Sequence, residues 1–313
     1  MNTNPVRTPD IAQLYKAAKS VRSRVRHTPV IRLAAGELGV DVPVTLKLEC
    51  LQHTGSFKVR GASYAVASRP AGTTEVCAAS GGNHGAAVAW AARAEGLPAT
   101  IFVPALSPRS KTDLIQSLGA QLHVVEGFYA DALRESLTYA QAPGTLHIDA
   151  YDDPATVAGQ SSLGLELIDD VPAGEPVLVG CGGGGLFAGV SLALAGRNPV
   201  LAVEPAAAAS LATAVRVGAP CDVEVGGLAV DSLGARRAGQ IATSVALGLG
   251  SEVLTVPDEA IARAQRLLWD ALRVTAEPGG ATALAGLLTH PERFPGAVTV
   301  IISGANVRSR PVD

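Results

Sequence analysis

Two glycine-rich stretches, each set between an apolar strand-like run and an apolar helical run, constrain this chain more than any other feature. The first, Ser80-Gly81-Gly82-Asn83-His84-Gly85, follows Thr74 to Ala79 and opens the alanine-rich segment from Asn83 to Glu95, which closes at Gly96. The second, Cys181-Gly182-Gly183-Gly184-Gly185-Leu186, follows Pro176-Val177-Leu178-Val179 and precedes the apolar run Phe187 to Ala195. Alanine favours helix and glycine stops it, so both stretches are predicted to be turns entering helices. Amides exposed at a helix N-terminus can grip an anion. Four glycines also let backbone N–H groups wrap a phosphate with no Cβ in the way, which makes the second stretch the stronger cradle.

Other strand-like runs centre on Val76 and on residues 101–103, 122–125, 146–148, 177–179, 200–203, 253–254 and 298–302. Their alternation with helical stretches predicts an α/β fold with parallel sheets. The alanine run Ala206 to Ala209 predicts a helix start, and no repeat or other low-complexity linker is present. Of 313 residues 48% are apolar and only 17% charged, against about 25% charged in an average domain. That is the composition of a soluble enzyme core. A net charge of -3 and a pI near 6.1 give no sign of nucleic-acid binding, and no segment is long and apolar enough to cross a membrane.

The start, Met1-Asn2-Thr3-Asn4-Pro5, shows no apolar signal region, and a sequence running only to Asp313 predicts no added regulatory domain. Cys50, Cys77, Cys181 and Cys221 lie far apart without Cys-x-x-Cys pairing, which predicts reduced, mostly buried thiols in the cytoplasm. Cys181 abuts the glycine cradle, where a reactive thiol is the alternative to a buried one.

The segment Thr54-Gly55-Ser56-Phe57-Lys58-Val59-Arg60-Gly61-Ala62 puts one ammonium on a short turn, between apolar neighbours, where a helix should begin. A lone lysine in such a context more often snorkels to the surface. When it is buried its pKa falls, the free amine is present near neutral pH, and it becomes a candidate Schiff-base nucleophile towards an aldehyde.

Thr28-Pro29, Leu46-Lys47-Leu48-Glu49, Ser56-Phe57-Lys58, the Asn83 loop, the tetraglycine loop, Val203-Glu204-Pro205, Glu277-Pro278 and Ser303-Gly304-Ala305-Asn306 extend over nearly the whole chain. In that order they resemble the pyridoxal-phosphate-dependent serine/threonine dehydratase family of fold type II, which is tryptophan synthase β-like and includes serine racemase. The resemblance implies a two-lobed α/β enzyme with parallel-rich sheets flanked by helices. Residues 1–73 and 150–313 would form the large cofactor-binding domain and residues 74–149 a small domain carrying the Asn83 substrate loop, with the cofactor between them. A homodimer acting on a small amino acid is the implied assembly.

The same resemblance assigns roles. Lys58 would hold the aldehyde of pyridoxal 5'-phosphate as an imine and act as the base at the substrate Cα. Gly182, Gly183, Gly184 and Gly185 would hold the phosphate, Asn83 would face the ring 3'-oxygen, and Ser303 would face the pyridine nitrogen. Phe57, Leu186, Gly227 and Glu277 complete the cofactor site, while Ser80, Gly82, Asn83 and His84 would receive the substrate carboxylate. Taken singly, each has a plainer reading: Asn83 as a helix cap, the glycines as a tight turn, Ser303 as a turn residue, and His84 as a surface residue.

A neutral Ser303 hydroxyl cannot stabilise a protonated pyridinium as an aspartate would, which makes the ring a weaker electron sink. Loss of a β-substituent fits that setting better than transamination. The implied activity is that of an ammonia-lyase, converting L-threonine, L-serine or a related β-hydroxy amino acid to a 2-oxo acid and ammonia, with amino-acid racemisation as the alternative.

Three departures from the family pattern stand out. Gly81 occupies the place where racemases carry a second serine as acid/base on the opposite cofactor face. Ser210 stands where the divalent-metal site needs an aspartate beside Glu204, so that site is expected to be incomplete, with a monovalent cation as the remaining candidate near Glu204. The family's Asp-Gly-Ile-Ala-Val is Gly226-Gly227-Leu228-Ala229-Val230 here.

Two readings compete with this chemistry. Gly180-x-Gly182-x-x-Gly185, with Glu204 after the next strand, satisfies a dinucleotide fingerprint. That reading leaves Lys58, the Asn83 loop and Ser303 unexplained. A non-catalytic sensor that binds the cofactor is the other, and the presence of Lys58 argues against it.

Overall fold

The computed structural model describes residues 7–307. Met1 to Pro5, where no apolar signal region is expected, and the end at Asp313 lie outside the described residues. Ten strands form: β1 Val30–Leu33, β2 Val44–Lys47, β3 Glu75–Ala79, β4 Ala99–Pro104, β5 Gln121–Val125, β6 Thr145–His147, β7 Val177–Gly180, β8 Val200–Pro205, β9 Val253–Val256 and β10 Val298–Ile301. They make a six-stranded sheet in the order β1-β2-β10-β7-β8-β9 and a four-stranded sheet in the order β5-β4-β3-β6. Every pairing is parallel except the edge pair of β1 with β2. Central strands such as β7, β8 and β10 are buried along their whole length, as a sheet covered by helices on both faces requires.

The apolar runs located all strands but two. β1 and β2 carry no such run, since β1 is a short edge strand and β2 ends in a lysine. That Lys47 is fully buried: its Nζ donates to the Thr28 carbonyl at 2.8 Å and lies 2.9 Å from Glu166 and 2.6 Å from Asp170. The alanine run does start helical structure, as a 3-10 turn at Ala206–Ala208 followed by the helix Ser210–Val217.

Helices Lys58–Ala67, Pro154–Asp170 and Gly185–Leu194 pack in sequence, and small residues permit it. A Cβ on Gly159 would lie 2.6 Å from the Arg60 carbonyl, and one on Gly189 would lie 2.8 Å from the Val157 carbonyl. Helix Lys58–Ala67 also contributes Val59, Ala62 and Val66 to the core beneath the four-stranded sheet, so it touches both halves of the molecule. Its position is fixed by a buried ion cluster. Arg60 is fully buried, with Nε 2.7 Å from Glu49 Oε2 and Nη1 2.7 Å from Glu166 Oε1, a forked pairing that only a guanidinium provides.

In a parallel sheet the segments leaving the strand C-termini converge on one edge, the usual place for a ligand. Here β3 leads into the Asn83 loop, β6 to Ala150, β7 to the glycine turn and β10 to Ser303.

Candidate active site

Lys58 is the first residue of its helix, and the turn before it is tied to the segment leaving β10. The Phe57 N–H donates to the Ser303 carbonyl at 3.1 Å, Ala305 N–H donates to the Gly55 carbonyl at 2.9 Å, and Ser56 forms a bridge with Gly304. These bonds bring Lys58 and Ser303, 245 positions apart in sequence (303 − 58), to one place. Lys58 Nζ donates to the Ala150 carbonyl at 2.7 Å and lies 5.2 Å from the centre of the Phe57 ring. Burial pushes the Lys58 pKa down to about 8, with the Asp149 carboxylate opposing the shift. A free amine near neutral pH is thus available here.

The Asn83 loop follows β3. Asn83 is the first residue of the helix Asn83–Ala94, and it does not cap that helix: the cap position is Gly82, which has no side chain to offer. Its amide instead donates to Glu277 Oε1 at 2.5 Å, and its Oδ1 accepts from Asn306 Nδ2 at 2.7 Å. Asn306 Nδ2 also donates to the Thr54 carbonyl at 2.8 Å, which closes a ring from the Lys58 turn back to the Asn83 loop. Glu277 is buried, and burial raises its carboxyl to about 7 against the lowering effects of Lys111 and the Asn83 bond.

His84 is not a surface residue. It is 5% exposed, its Nε2 lies 2.9 Å from the Ile148 carbonyl, and burial together with the Lys58 charge lowers its pKa to about 4, so the ring is neutral at pH 7. Ser80 Oγ accepts the Gly82 N–H at 3.1 Å, which shapes the turn.

Each glycine of the second turn is required by packing. A Cβ on Gly182 would meet Leu233 at 2.9 Å, one on Gly183 the Tyr151 ring at 2.4 Å, one on Gly184 the Ala242 Cβ at 2.3 Å, and one on Gly185 the Tyr151 carbonyl at 2.7 Å. Gly184 also has φ +89, a left-handed conformation that L side chains avoid. It caps the helix Gly185–Leu194 with no side-chain hydrogen bond, leaving the first-turn amides without a side-chain partner. Ser303 is buried, and its hydroxyl donates only a long 3.4 Å bond, to the Gly279 carbonyl.

The remaining candidates divide. Leu186 is buried in the core of the six-stranded sheet, and Gly227 adopts φ +80 beside the Asp258 carboxylate. Glu204 is buried, and each of its oxygens accepts a backbone N–H at 2.8 Å, from Leu211 and Ala212, while burial raises its carboxyl to about 7. It serves the helix that follows it, which removes the ribose-binding acid that a dinucleotide site would need. Among the described residues no cluster of three or more His, Cys, Asp or Glu is arranged to hold a metal ion. Cys181 is buried and burial holds its thiol well above the usual range, so it is not a reactive thiolate.

Sequence reasoning missed three contributors: the Ala150 carbonyl, Ser107 and Lys111. A backbone acceptor leaves no sequence signal. Ser107 fills the space beside Gly81, where a Cβ would lie 2.0 Å from its Oγ and 2.7 Å from its Cβ. Lys111 is 7% exposed, and its Nζ would lie 3.9 Å from a Cβ on Gly82.

Comparison with known proteins identifies the family. The family described as pyridoxal-phosphate dependent enzyme matches residues 21–304. An L-threonine ammonia-lyase of Thermotoga maritima is 33% identical over 97% of this chain and 76% of its own length. A serine racemase of Oryza sativa subsp. indica is 31% identical over 95% of this chain and 91% of its own. The solved structure of a T.th. threonine deaminase superposes with a TM-score of 0.90 at 30% identity, covering 97% of this chain and 100% of that one. On that match over residues 21–304, the chain belongs to the family of pyridoxal-phosphate-dependent enzymes.

Proposed function

We propose that this enzyme is an ammonia-lyase that removes water and then ammonia from an L-β-hydroxy amino acid, L-threonine or L-serine, to give a 2-oxo acid. The observation that carries the reading is the half-buried Lys58 amine, bonded to the Ala150 carbonyl with its pKa lowered to about 8, and placed beside the buried Ser303 by the backbone bond from the Phe57 N–H to the Ser303 carbonyl. The residues suit pyridoxal 5'-phosphate in charge and donor type. Lys58 offers an amine to the aldehyde, the helix opening at Gly185 offers amides to a dianion, and the weakly engaged Ser303 hydroxyl can turn to a pyridine nitrogen.

When bound, the cofactor supplies a conjugated ring that accepts the electron pair left by Cα deprotonation. The rest falls to the chain. Lys58, once free, takes the Cα proton. The backbone amides of the Asn83 loop orient the substrate carboxylate, while the side chains of Ser80, Asn83 and His84, bonded to the Gly82 N–H, Glu277 and the Ile148 carbonyl, hold that loop in shape. Leu186, Gly227 and Glu277 would help to hold the cofactor, Glu277 through its bond with Asn83. The hydroxyl on Cβ leaves as water, taking up the proton that Lys58 removed from Cα, and the aminoacrylate released hydrolyses to the 2-oxo acid and ammonia.

Racemisation is the second reading, and Ser107 favours it. Its hydroxyl sits within 2.0 Å of the Cβ position at Gly81, so the place where racemases carry a serine holds a hydroxyl after all, supplied by another segment. The reading also takes the enzyme as a cytoplasmic homodimer whose residues 74–149 act as a lobe. Strands β3 to β6, all within 75–147 and in a sheet of their own, and the free, mostly buried cysteines support it. A 2-oxo acid release assay over a panel of β-hydroxy amino acids tests the main proposal: release from none of them in the presence of cofactor overturns it.

A further inference from the structure

Lys111 has no place in the reaction as described, yet it is 7% exposed and lies on the helix Arg109–Ser117, directly against the Asn83 loop. Its Nζ is 4.0 Å from Asp231 Oδ2, its charge lowers the Glu277 carboxyl, and its Cδ and Nζ would lie 3.7 and 3.9 Å from a Cβ on Gly82. Those two distances are ordinary van der Waals contact, so the ammonium stands beside the Gly82 backbone without crowding it. A small cavity of about 40 Å³ opens there, lined by Gly82, Asn83, Ala86, Lys111, Leu114 and Asn306 among others.

The cavity holds room for a few atoms only. Its donors all point one way in charge. The helix Asn83–Ala94 starts at a glycine cap that gives its first-turn amides no side-chain acceptor, and Lys111 adds a full positive charge beside them. The Asn83 and Asn306 side chains are already bonded, to Glu277, to each other and to the Thr54 carbonyl, so they hold the wall in place. A buried ammonium next to open amides suits a carboxylate better than a neutral or cationic group.

We propose that Lys111 is a substrate-binding residue whose ammonium receives the carboxylate of the amino acid entering at Gly82 and Asn83, in partial exchange for Asp231. The proposal rests on the ammonia-lyase reading and deepens it. The loop orients the carboxylate by hydrogen bonds, and Lys111 supplies the charge that selects an anion in the first place.

The test uses the holoenzyme with Lys111→Met and Lys111→Arg. KM for the substrate that the wild type converts should rise about 10- to 100-fold in Lys111→Met, the loss of one charge-assisted hydrogen bond, with kcat and cofactor affinity little changed. Lys111→Arg should recover most of that loss. Competition by propionate and by propionamide separates charge from shape: the wild type should prefer propionate, and Lys111→Met should lose the preference. Unchanged KM and unchanged preference for propionate in Lys111→Met overturn the proposal, as does an Arg variant no better than Met. If Lys111→Met fails to fold, Lys111→Gln is read in the same way. Should the wild type release no 2-oxo acid at all, the ammonia-lyase reading fails, while direct calorimetric titration of propionate and of propionamide into wild type and Lys111→Met still decides for or against Lys111.

Discussion

Lys58 Nζ and the Ala150 carbonyl lie 2.7 Å apart, and this contact joins a residue at the start of a helix to the segment that leaves β6 in the other sheet. The amine is thereby held at a carbonyl and partly withdrawn from solvent. Its lowered pKa follows from that burial.

Capture of the cofactor by the cofactor-free protein should therefore speed up with rising pH and reach half its maximum near pH 8, well below the ordinary lysine value of about 10.4. Only the neutral amine attacks the aldehyde, and a depressed pKa makes it available at lower pH. Stopped-flow absorbance after mixing with pyridoxal 5'-phosphate measures this, and a midpoint above pH 10 would show that Lys58 is solvated like a surface lysine.

The glycine turn calls for a paired comparison. Any side chain at position 184 meets Ala242 and strains a φ of +89, so Gly184→Ala should already cost stability. Gly184→Asp adds a negative charge facing the phosphate, and its cofactor affinity should fall at least about 10-fold below that of Gly184→Ala. Equal affinities in the two variants would place the phosphate elsewhere.

Arg60 ties the Lys58 helix to Glu49 and Glu166. Arg60→Met leaves the fully buried Glu49 carboxylate without its cation, while Glu166 keeps Lys47, and unfolding in urea should show a loss of about 3–5 kcal/mol. A loss under about 1 kcal/mol would mean that the cluster does not hold the helix.

At Gly81 the structure changes the design of the experiment. A serine there collides with Ser107, so Gly81→Ser should be poorly tolerated and is not a clean route to a racemase. Ser107→Ala is the better variant. With Lys58 as the chief base, pyruvate from L-serine should exceed D-serine by a wide margin, and the trace of D-serine should disappear in Ser107→Ala. Chiral chromatography alongside pyruvate release decides: D-serine forming as fast as pyruvate makes the racemase reading the correct one.

Much of the architecture was readable because its signals are local. Apolar runs bounded by glycine and proline gave eight strands, and the alanine-rich stretch ending at Gly96 gave the helix Asn83–Ala94. What was hidden depends on tertiary pairing. β2 carries Lys47, which is tolerated inside only because Glu166 and Asp170 lie on a helix more than a hundred residues away. His84 has a surface-like composition but a buried position, set by the Ile148 carbonyl. Asn83 resembles a cap in sequence, yet Gly82 takes the cap position and frees the amide for Glu277. Ser107 and Lys111 enter from a segment with no motif of its own, so only the folded chain shows what they adjoin.

The most direct measurement compares wild type and Lys58→Ala, each purified with pyridoxal 5'-phosphate. The wild type should be yellow, lose its visible band on borohydride treatment, and release a 2-oxo acid from L-threonine or L-serine. Lys58→Ala should keep its fold by circular dichroism, lack the band, and turn over at less than about one thousandth of the wild-type rate. Full 2-oxo acid release by Lys58→Ala would contradict the account at its centre.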